Sequence, residues 1–434
     1  MHPGNDGIGW ERPASVEMID PVHGTNNEFQ INAGIRIRGA ASRSSSNPKH
    51  SFRLFFREQY GSASKLNFPL FGDEGAESFK KIDLRSEQNH SWHSTGEMRN
   101  TLVRDVFSRD SQRDMGETAY GRSRYYHLYI NGLYWGVYQT EERAEEHFAE
   151  DYFGTPKEFC DVVKKDAERT LGCNNGTLDA YNQLFNLAIS QGFAGTRSNN
   201  YWTVQGLYPD GTKNPSLRPL LDIGNLVNYV LITHFTADGD SPVSEWSDFS
   251  NNLNMLYDET GANGGFMWLH HDSEHSMGAY NNGIADSKYG YPANIFDWGT
   301  SRDHSNFTKA ENMNPLGIHD KLTSHPAYLR FFADAIQRTF FDNGALTVAN
   351  AKARVQARMD EIDDAVVGEA ARWGRGATRT DWLNACADVM TYIERRHPIL
   401  ISQYRAKGWF PSINAPAPSI ENKTSAPLGT ITPV

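Results

Sequence analysis

Residues 125–138 read Tyr-Tyr-His-Leu-Tyr-Ile-Asn-Gly-Leu-Tyr-Trp-Gly-Val-Tyr, and the Asn131-Gly132 pair at the centre constrains the fold more than any other stretch. A type I′ turn needs positive φ at both central residues, which Asn and Gly supply, so the two flanks pair as a β-hairpin. Upstream, Gly34 to Gly39 alternates apolar and polar side chains and predicts a strand that stops at a glycine. Ala40 to Pro48 is small and polar and predicts a loop. Lys49 to Phe56 then returns as a strand with Phe52 and Leu54 on one face. A strand, a Gly/Ser loop and a strand carrying Lys and Arg suit a cover over phosphates; a plain surface hairpin is the alternative.

Helical spacing follows elsewhere. Met98, Leu102 and Val106 predict a helix over 98–115 with Gly116 as its stop. Glu141-Glu142-Arg143 is expected to start a helix running to Phe153-Gly154, and 178–189 to form another. Asp222 is a candidate N-cap for a helix through Ile223, Leu226, Val227 and Val230 to about Phe235. An acidic loop, Asp238-Gly239-Asp240, comes next, then strands over 253–257 and 266–271 around a glycine-rich turn. Residues 279–320 predict a long loop, since Asn, Gly and Asp dominate. Helices are expected over 326–341, 355–366 and 381–396, the last ended by His397-Pro398. Residues 1–29 are expected to be irregular, 30–410 to form one domain, and 411–434 a Pro/Ser/Thr-rich linker or disordered tail of the kind that leads to a further domain.

The 434 residues include 10 Trp, 19 Tyr and 23 Phe, enough aromatic mass for a large core. The net charge of −11 argues against nonspecific binding to nucleic acid or an anionic membrane. It does not disfavour a small anionic ligand held by a few local cations and a metal. No run of apolar residues is long enough for a membrane span. Met1-His-Pro-Gly lacks the basic and apolar segments of a signal peptide. Of the three cysteines, Cys160 and Cys173 could close a short loop or stay free, and their spacing is not that of a zinc site.

Chemistry concentrates between 238 and 278. Trp268-Leu-His-His-Asp272-Ser-Glu274-His275-Ser-Met-Gly278 runs from apolar residues into two acids, as a strand does when it delivers carboxylates to a sheet edge where Mg²⁺ sits beside phosphates. Asp240, Asn252 and Asp272 fall in the order that phosphoryl transfer uses: an acid for the attacking hydroxyl, then an Asn and an Asp for the metal. The chain lacks His-Arg-Asp and Asp-Phe-Gly. A different metal protein built on the His270–His275 cluster, with Zn²⁺ or Mn²⁺, is a competing reading. Against it, His270 and His271 are neighbours on a strand and point to opposite faces.

Several blocks, taken together, resemble the spore-coat CotH kinase family. They are GIRIRGAASRSSSNPKHSFRLFFREQYG, LNFPLFGD, KIDLRSEQNHSW, RNTLVRD, LYINGLYWGVYQTEER and WLHHDSEHSMG, spread over roughly 30 to 400. The resemblance implies an α+β, bilobed, atypical protein-kinase-like fold with a sheet-rich N-lobe and a mostly helical C-lobe. It also implies ATP and Mg²⁺ (Mn²⁺ or Ca²⁺ as substitutes), phosphate transfer to Ser or Thr of an unidentified protein, and an extracellular or surface location. By position, Asp240 or its neighbour Asp238 matches the catalytic acid. Asp272 and Asn252 match the metal ligands, with Glu274 as a second acid and Asn254 as a rival to Asn252. Lys49, Arg53, Glu142 and Lys165 match positions near the nucleotide. A non-catalytic surface or assembly protein that keeps the fold is the alternative.

Overall fold

The computed structural model describes residues 7–22, 27–39, 41–61, 63–94, 99–165, 171–244, 249–279, 283–298 and 309–412. In chain order the strands are β1 (Arg12–Met18), β2 (Phe29–Arg38), β3 (Ser51–Phe55), the short β4 (Leu66–Asn67) and β5 (Ser78–Phe79), β6 (Lys81–Arg85), β7 (Tyr125–Ile130), β8 (Leu133–Glu141), β9 (Cys160–Lys165), β10 (Leu171–Asn175), β11 (Leu253–Asp258) and β12 (Met267–Leu269). The helices are α1 (Arg104–Asp114), α2 (Glu146–Phe153), α3 (Asp179–Phe185), α4 (Asn200–Thr203), α5 (Ile223–Thr236), α6 (Pro315–Leu322), α7 (Pro326–Phe340), α8 (Val348–Ile362), α9 (Ala365–Trp373) and α10 (Arg379–Ala406).

Two antiparallel sheets frame the molecule. The first has the order β1-β2-β3-β6-β8-β7, and the second β10-β9-β11-β12. In the first, Ala33, Leu54, Phe56, Phe71 and Ile82 form a small core of their own. The larger core centres on α5, where only Gly224 and Asn228 escape full burial. A helix apolar on all sides can lie only in the middle of a packed layer. Asp222 caps α5, its Oδ1 accepting from the Asn225 amide at 2.9 Å.

The Asn131-Gly132 turn forms as expected, with φ of 50° and 77°, and it joins β7 to β8. Several expectations need correction. The segment expected to be irregular contains β1, which pairs with β2 along its whole length; Pro13 is tolerated because β1 is an edge strand. The helix expected from Met98 begins at Arg104, because Leu102 has φ +60°, and Met98 itself lies outside the described residues. Glu141 ends a strand and Glu142 and Arg143 follow it, so α2 starts only at Glu146. Part of the expected 279–320 loop is α6, with Asn314 as its N-cap.

The helix expected to stop at His397-Pro398 continues to Ala406. Proline removes one backbone donor from that helix. Burial of Leu400, Ile401 and Tyr404 beyond it, and Arg396 donating to the backbone oxygens of Tyr291 and Ala293, hold the segment in place. Cys160, Cys173 and Cys386 are all free thiols. Cys173 pairs across the sheet with Val163 rather than with Cys160.

Helices α1 and α8 are tied to each other by charge. Arg358 of α8 holds Asp110 of α1 with two bonds of 2.7 and 2.9 Å. Burial works against the Asp110 charge, but the Arg358 guanidinium outweighs it and keeps this carboxyl below its usual range. Such a group adds stability above its unfolded-state pKa and loses it as pH falls through the lower folded value. Asp110→Asn should therefore lower stability by on the order of 3 kcal/mol at pH 7. The gap from wild type should close as the pH is taken well below about 4. Urea midpoints across that range measure it, and a gap independent of pH would show that the ion pair does not carry the effect.

Candidate active site

A cavity of about 420 Å³ opens between the two sheets. From the first sheet it is lined by Arg38, Arg53, Asp83 and Glu141, and from the connector after β8 by Glu142, Arg143 and Ala144. From the second sheet come Lys164, Lys165, Gly172, Asn174 and the stretches 252–254 and 269–271. Strand alternation explains the first set. In Lys81-Ile-Asp-Leu-Arg85 the apolar Ile82 and Leu84 join the sheet's own core, so Asp83 and Arg85 face the other way.

Asp83 organises the roof. It is fully buried and accepts from Arg53 at 2.6 and 3.0 Å, from Arg38 at 2.6 Å and from Arg143 at 2.7 Å. Burial opposes its charge, but the guanidiniums of Arg143, Arg38 and Arg53 prevail and hold its carboxyl well below the usual range. Arg38 also lies 3.6 Å from Glu141 and Arg143 2.6 Å from Glu145, so the roof is a network of guanidiniums and carboxylates. Across from it, Lys164 also lines the cavity. Burial, then the nearby Arg143 charge, pull its pKa down to about 7. Lys165 is almost fully buried, with its ammonium 5.6 Å from the centre of the Phe249 ring.

The floor is built where α5 ends. Ala237 turns the chain with φ +48°, and Asp238 is buried with its Oδ1 taken by the Asp240 amide at 3.0 Å. Asp240 is less enclosed. Its Oδ1 accepts from Asn251 at 3.0 Å and its Oδ2 from Asn252 at 3.2 Å. Burial first, and then the Asp272 charge, lift its carboxyl to about 7 against the hydrogen bonds from Ser244, Asn251 and Asn252. Asn252 (φ +52°) and Asp272 (φ +59°) both adopt left-handed backbone. Non-glycine residues in that region are costly and cluster at functional sites.

Asp272 follows β12. Its Oδ1 is bound by Arg85, and its side chain retains about 30% exposure. Burial opposes the charge, but Arg85, His271 and Arg38 hold its carboxyl below the usual range. Arg85 also holds Glu274 at 2.7 Å, with Asp105 and Glu141 each at 3.5 Å. Glu274 is buried, and its other oxygen accepts from the Asn89 amide at 2.8 Å.

The sequence-derived candidates thus divide. Asn252 lines the cavity and bonds Asp240, whose carboxyl feels the Asp272 charge; Asp240 and Asp272 lie next to the cavity rather than in its lining. Arg53, Glu142, Lys165 and Asn254 line the cavity. Glu142 is tied to Arg122 and Tyr152, and burial lifts its carboxyl to about 7. Asn254 sits on β11 opposite Lys164 and Leu269. Glu274 turns inward to Arg85. Lys49 lies elsewhere: it is fully buried and bonded to Glu369 of α9 and to the Val137 oxygen, each at 2.7 Å. Sequence reasoning did not single out Arg38, Asp83, Arg85 or Arg143. Their signal was polar residues recurring every second position in strands that had to be buried.

The histidine cluster disperses. His270 stacks on Tyr229 at 3.9 Å, His271 bonds Glu141 and His275 bonds His90 at 2.9 Å. Among the described residues, no group of three or more His, Cys, Asp or Glu side chains could hold a metal ion. The reading of this cluster as a zinc-type centre is therefore set aside.

Comparison with known families agrees with these blocks. The family described as CotH kinase protein matches residues 35–400. The chain belongs to the CotH kinase family. No curated protein matches it. Membership makes the chain kinase-like. Among the described residues no helix is long and apolar enough to cross a membrane.

The placement of Lys49 gives a prediction. Lys49→Met leaves Glu369 buried without its cation, which should cost about 3–5 kcal/mol. Nucleotide affinity of the folded protein should not change. Paired replacement with Glu369→Leu should recover most of the loss. Thermal melts with nucleotide titrations check this, and a large affinity loss in the folded single variant would return Lys49 to the site.

Proposed function

We propose that this CotH kinase-family chain is an ATP- and Mg²⁺-dependent kinase that transfers phosphate to a Ser or Thr hydroxyl of a protein, with nucleotide bound between two kinase-like lobes. The observation that carries the reading is Asn252, in the wall of a cavity that also holds Arg38, Arg53, Arg143 and Lys164, bonding Asp240, whose carboxyl in turn feels the Asp272 charge.

The donors fit a hard cation. Asn252 spends its amide nitrogen on Asp240, which leaves its amide oxygen for a metal. Asp272 spends Oδ1 on Arg85, which leaves Oδ2. Oxygen donors of this type, completed by phosphate oxygens, suit Mg²⁺. When bound, the ion would neutralise charge on the phosphate oxygens.

The chain's own residues supply the rest. Asp240 orients the acceptor hydroxyl and takes its proton, and a carboxyl lifted to about 7 is well matched to that task. Lys164 and the guanidiniums around Asp83 face the phosphates, where a low-dielectric cavity strengthens their attraction. The reading carries with it a protein acceptor and an extracellular or surface location.

Asp272→Ala should abolish Mg²⁺-dependent ATP binding and turnover in protein that still folds, although losing a partner of the buried Arg85 lowers its melting temperature. Asp240→Asn should keep nucleotide binding and lose roughly a hundredfold or more in turnover. Lys164→Met should raise the KM for ATP about tenfold with a smaller change in kcat. Radiolabelled phosphate transfer to a generic protein acceptor, with ATP titrations, checks all three. Unchanged nucleotide binding in Asp272→Ala would favour a binding protein that keeps the kinase-like fold.

A further inference from the structure

Resting on that reading, we infer that the site takes one divalent cation per nucleotide, because the Arg85 guanidinium already does the work of a second. Two acids spaced as Asp272 and Glu274 are could hold a pair of ions that share their oxygens. The geometry leaves Glu274 no oxygen to offer the second ion of such a pair. Glu274 Oε1 accepts from Arg85 at 2.7 Å and its Oε2 accepts from the Asn89 amide at 2.8 Å, so both of its oxygens are spent on the protein. Asp272 Oδ1 accepts from the same guanidinium nitrogen. Of the four carboxylate oxygens of Asp272 and Glu274, only Asp272 Oδ2 has no protein partner among the described residues.

A cation that bridges the two carboxylates is thus built in. It is also fixed. The Arg85 side chain is about 5% exposed, with Asp105 and Glu141 each at 3.5 Å on its other nitrogens. Guanidinium keeps its charge at any pH the fold survives, so it cannot be neutralised to admit an ion. Moving it out would strand a buried charge from β6 away from all of these acids. A lysine at this position could bring a charge but not a planar fork able to hold several carboxylates at once.

The test counts ions. The full chain is titrated with Mn²⁺ in the presence of a non-hydrolysable ATP analogue, and bound Mn²⁺ is measured by electron paramagnetic resonance and calorimetry. One Mn²⁺ per chain is expected. Two would overturn the inference and leave the kinase reading standing. None would sink the kinase reading, and this inference with it. Asp272→Asn should reduce the count to zero; a count still at one would place the ion elsewhere and overturn the assignment. Glu274→Gln should keep the count at one, since this residue is not a ligand, and a fall to zero would overturn the inference as well.

Discussion

Arg85 is the interaction on which the site depends. A buried guanidinium is tolerated only when carboxylates surround it with good geometry, because its desolvation otherwise outweighs any attraction. Here the acids come from separate parts of the chain: Asp105 from α1, Glu141 from the end of β8, and Asp272 and Glu274 from the turn after β12. One side chain of the first sheet therefore fixes the turn that leaves the second sheet. Without it, that turn would have no reason to bring Asp272 under the cations around Asp83. The left-handed backbone at Asp272 is held by the same contacts.

The first sheet carries a second buried link. Lys49 and Glu369 join the first sheet to α9, and Glu369 also accepts from the Val137 amide at 2.7 Å. Gly136 beside it has φ +125°, and a Cβ there would meet the Glu369 carboxylate at 2.5 Å. Glycine is thus required for α9 to approach the strand so closely. The Arg85 cluster and the Lys49 pair both anchor the first sheet to later parts of the chain. The cavity is accordingly formed before any ligand arrives, and little ordering should be spent on building it at binding.

Much of this was legible in the sequence, and the reasons for what was not are physical. The hairpin at Asn131-Gly132 and the cap at Asp222 are local signals, and both formed where the residues placed them. Asp240, Asn252 and Asp272 were candidates because of their order along a helix, a loop and a hairpin, and the structure joins Asn252 to Asp240 by a hydrogen bond. Lys49 was misplaced because a basic residue at the start of a strand looks the same whether it faces phosphate or a buried acid 320 positions away. Pro398 misled for a related reason: local propensity argues for a stop, and burial of Tyr404 and its neighbours overrides it. Asp83 and Arg85 stayed hidden because paired charges inside a sheet give the same alternation as a solvated edge. Burial, which decides between the two, is a tertiary property.

The same logic separates Asp240 from Asp238, which the sequence left as rivals. Asp238 is about 2% exposed and spends an oxygen on the backbone of the loop it belongs to. Its carboxyl is lifted well above the usual range, by burial before anything else. A group so enclosed shapes the loop but has no path to a substrate hydroxyl. Asp240 is less enclosed, and its oxygens accept from Asn251 and from Asn252, the latter a residue of the cavity wall. Its partners Asn251 and Asn252 belong to the segment that enters β11, so the acid and the metal-side amide are positioned by one set of hydrogen bonds. In the proposed reading, one set of hydrogen bonds would then orient both the base and the amide on the metal side, while Asp238, buried and bonded to the Asp240 backbone amide, holds the loop in shape.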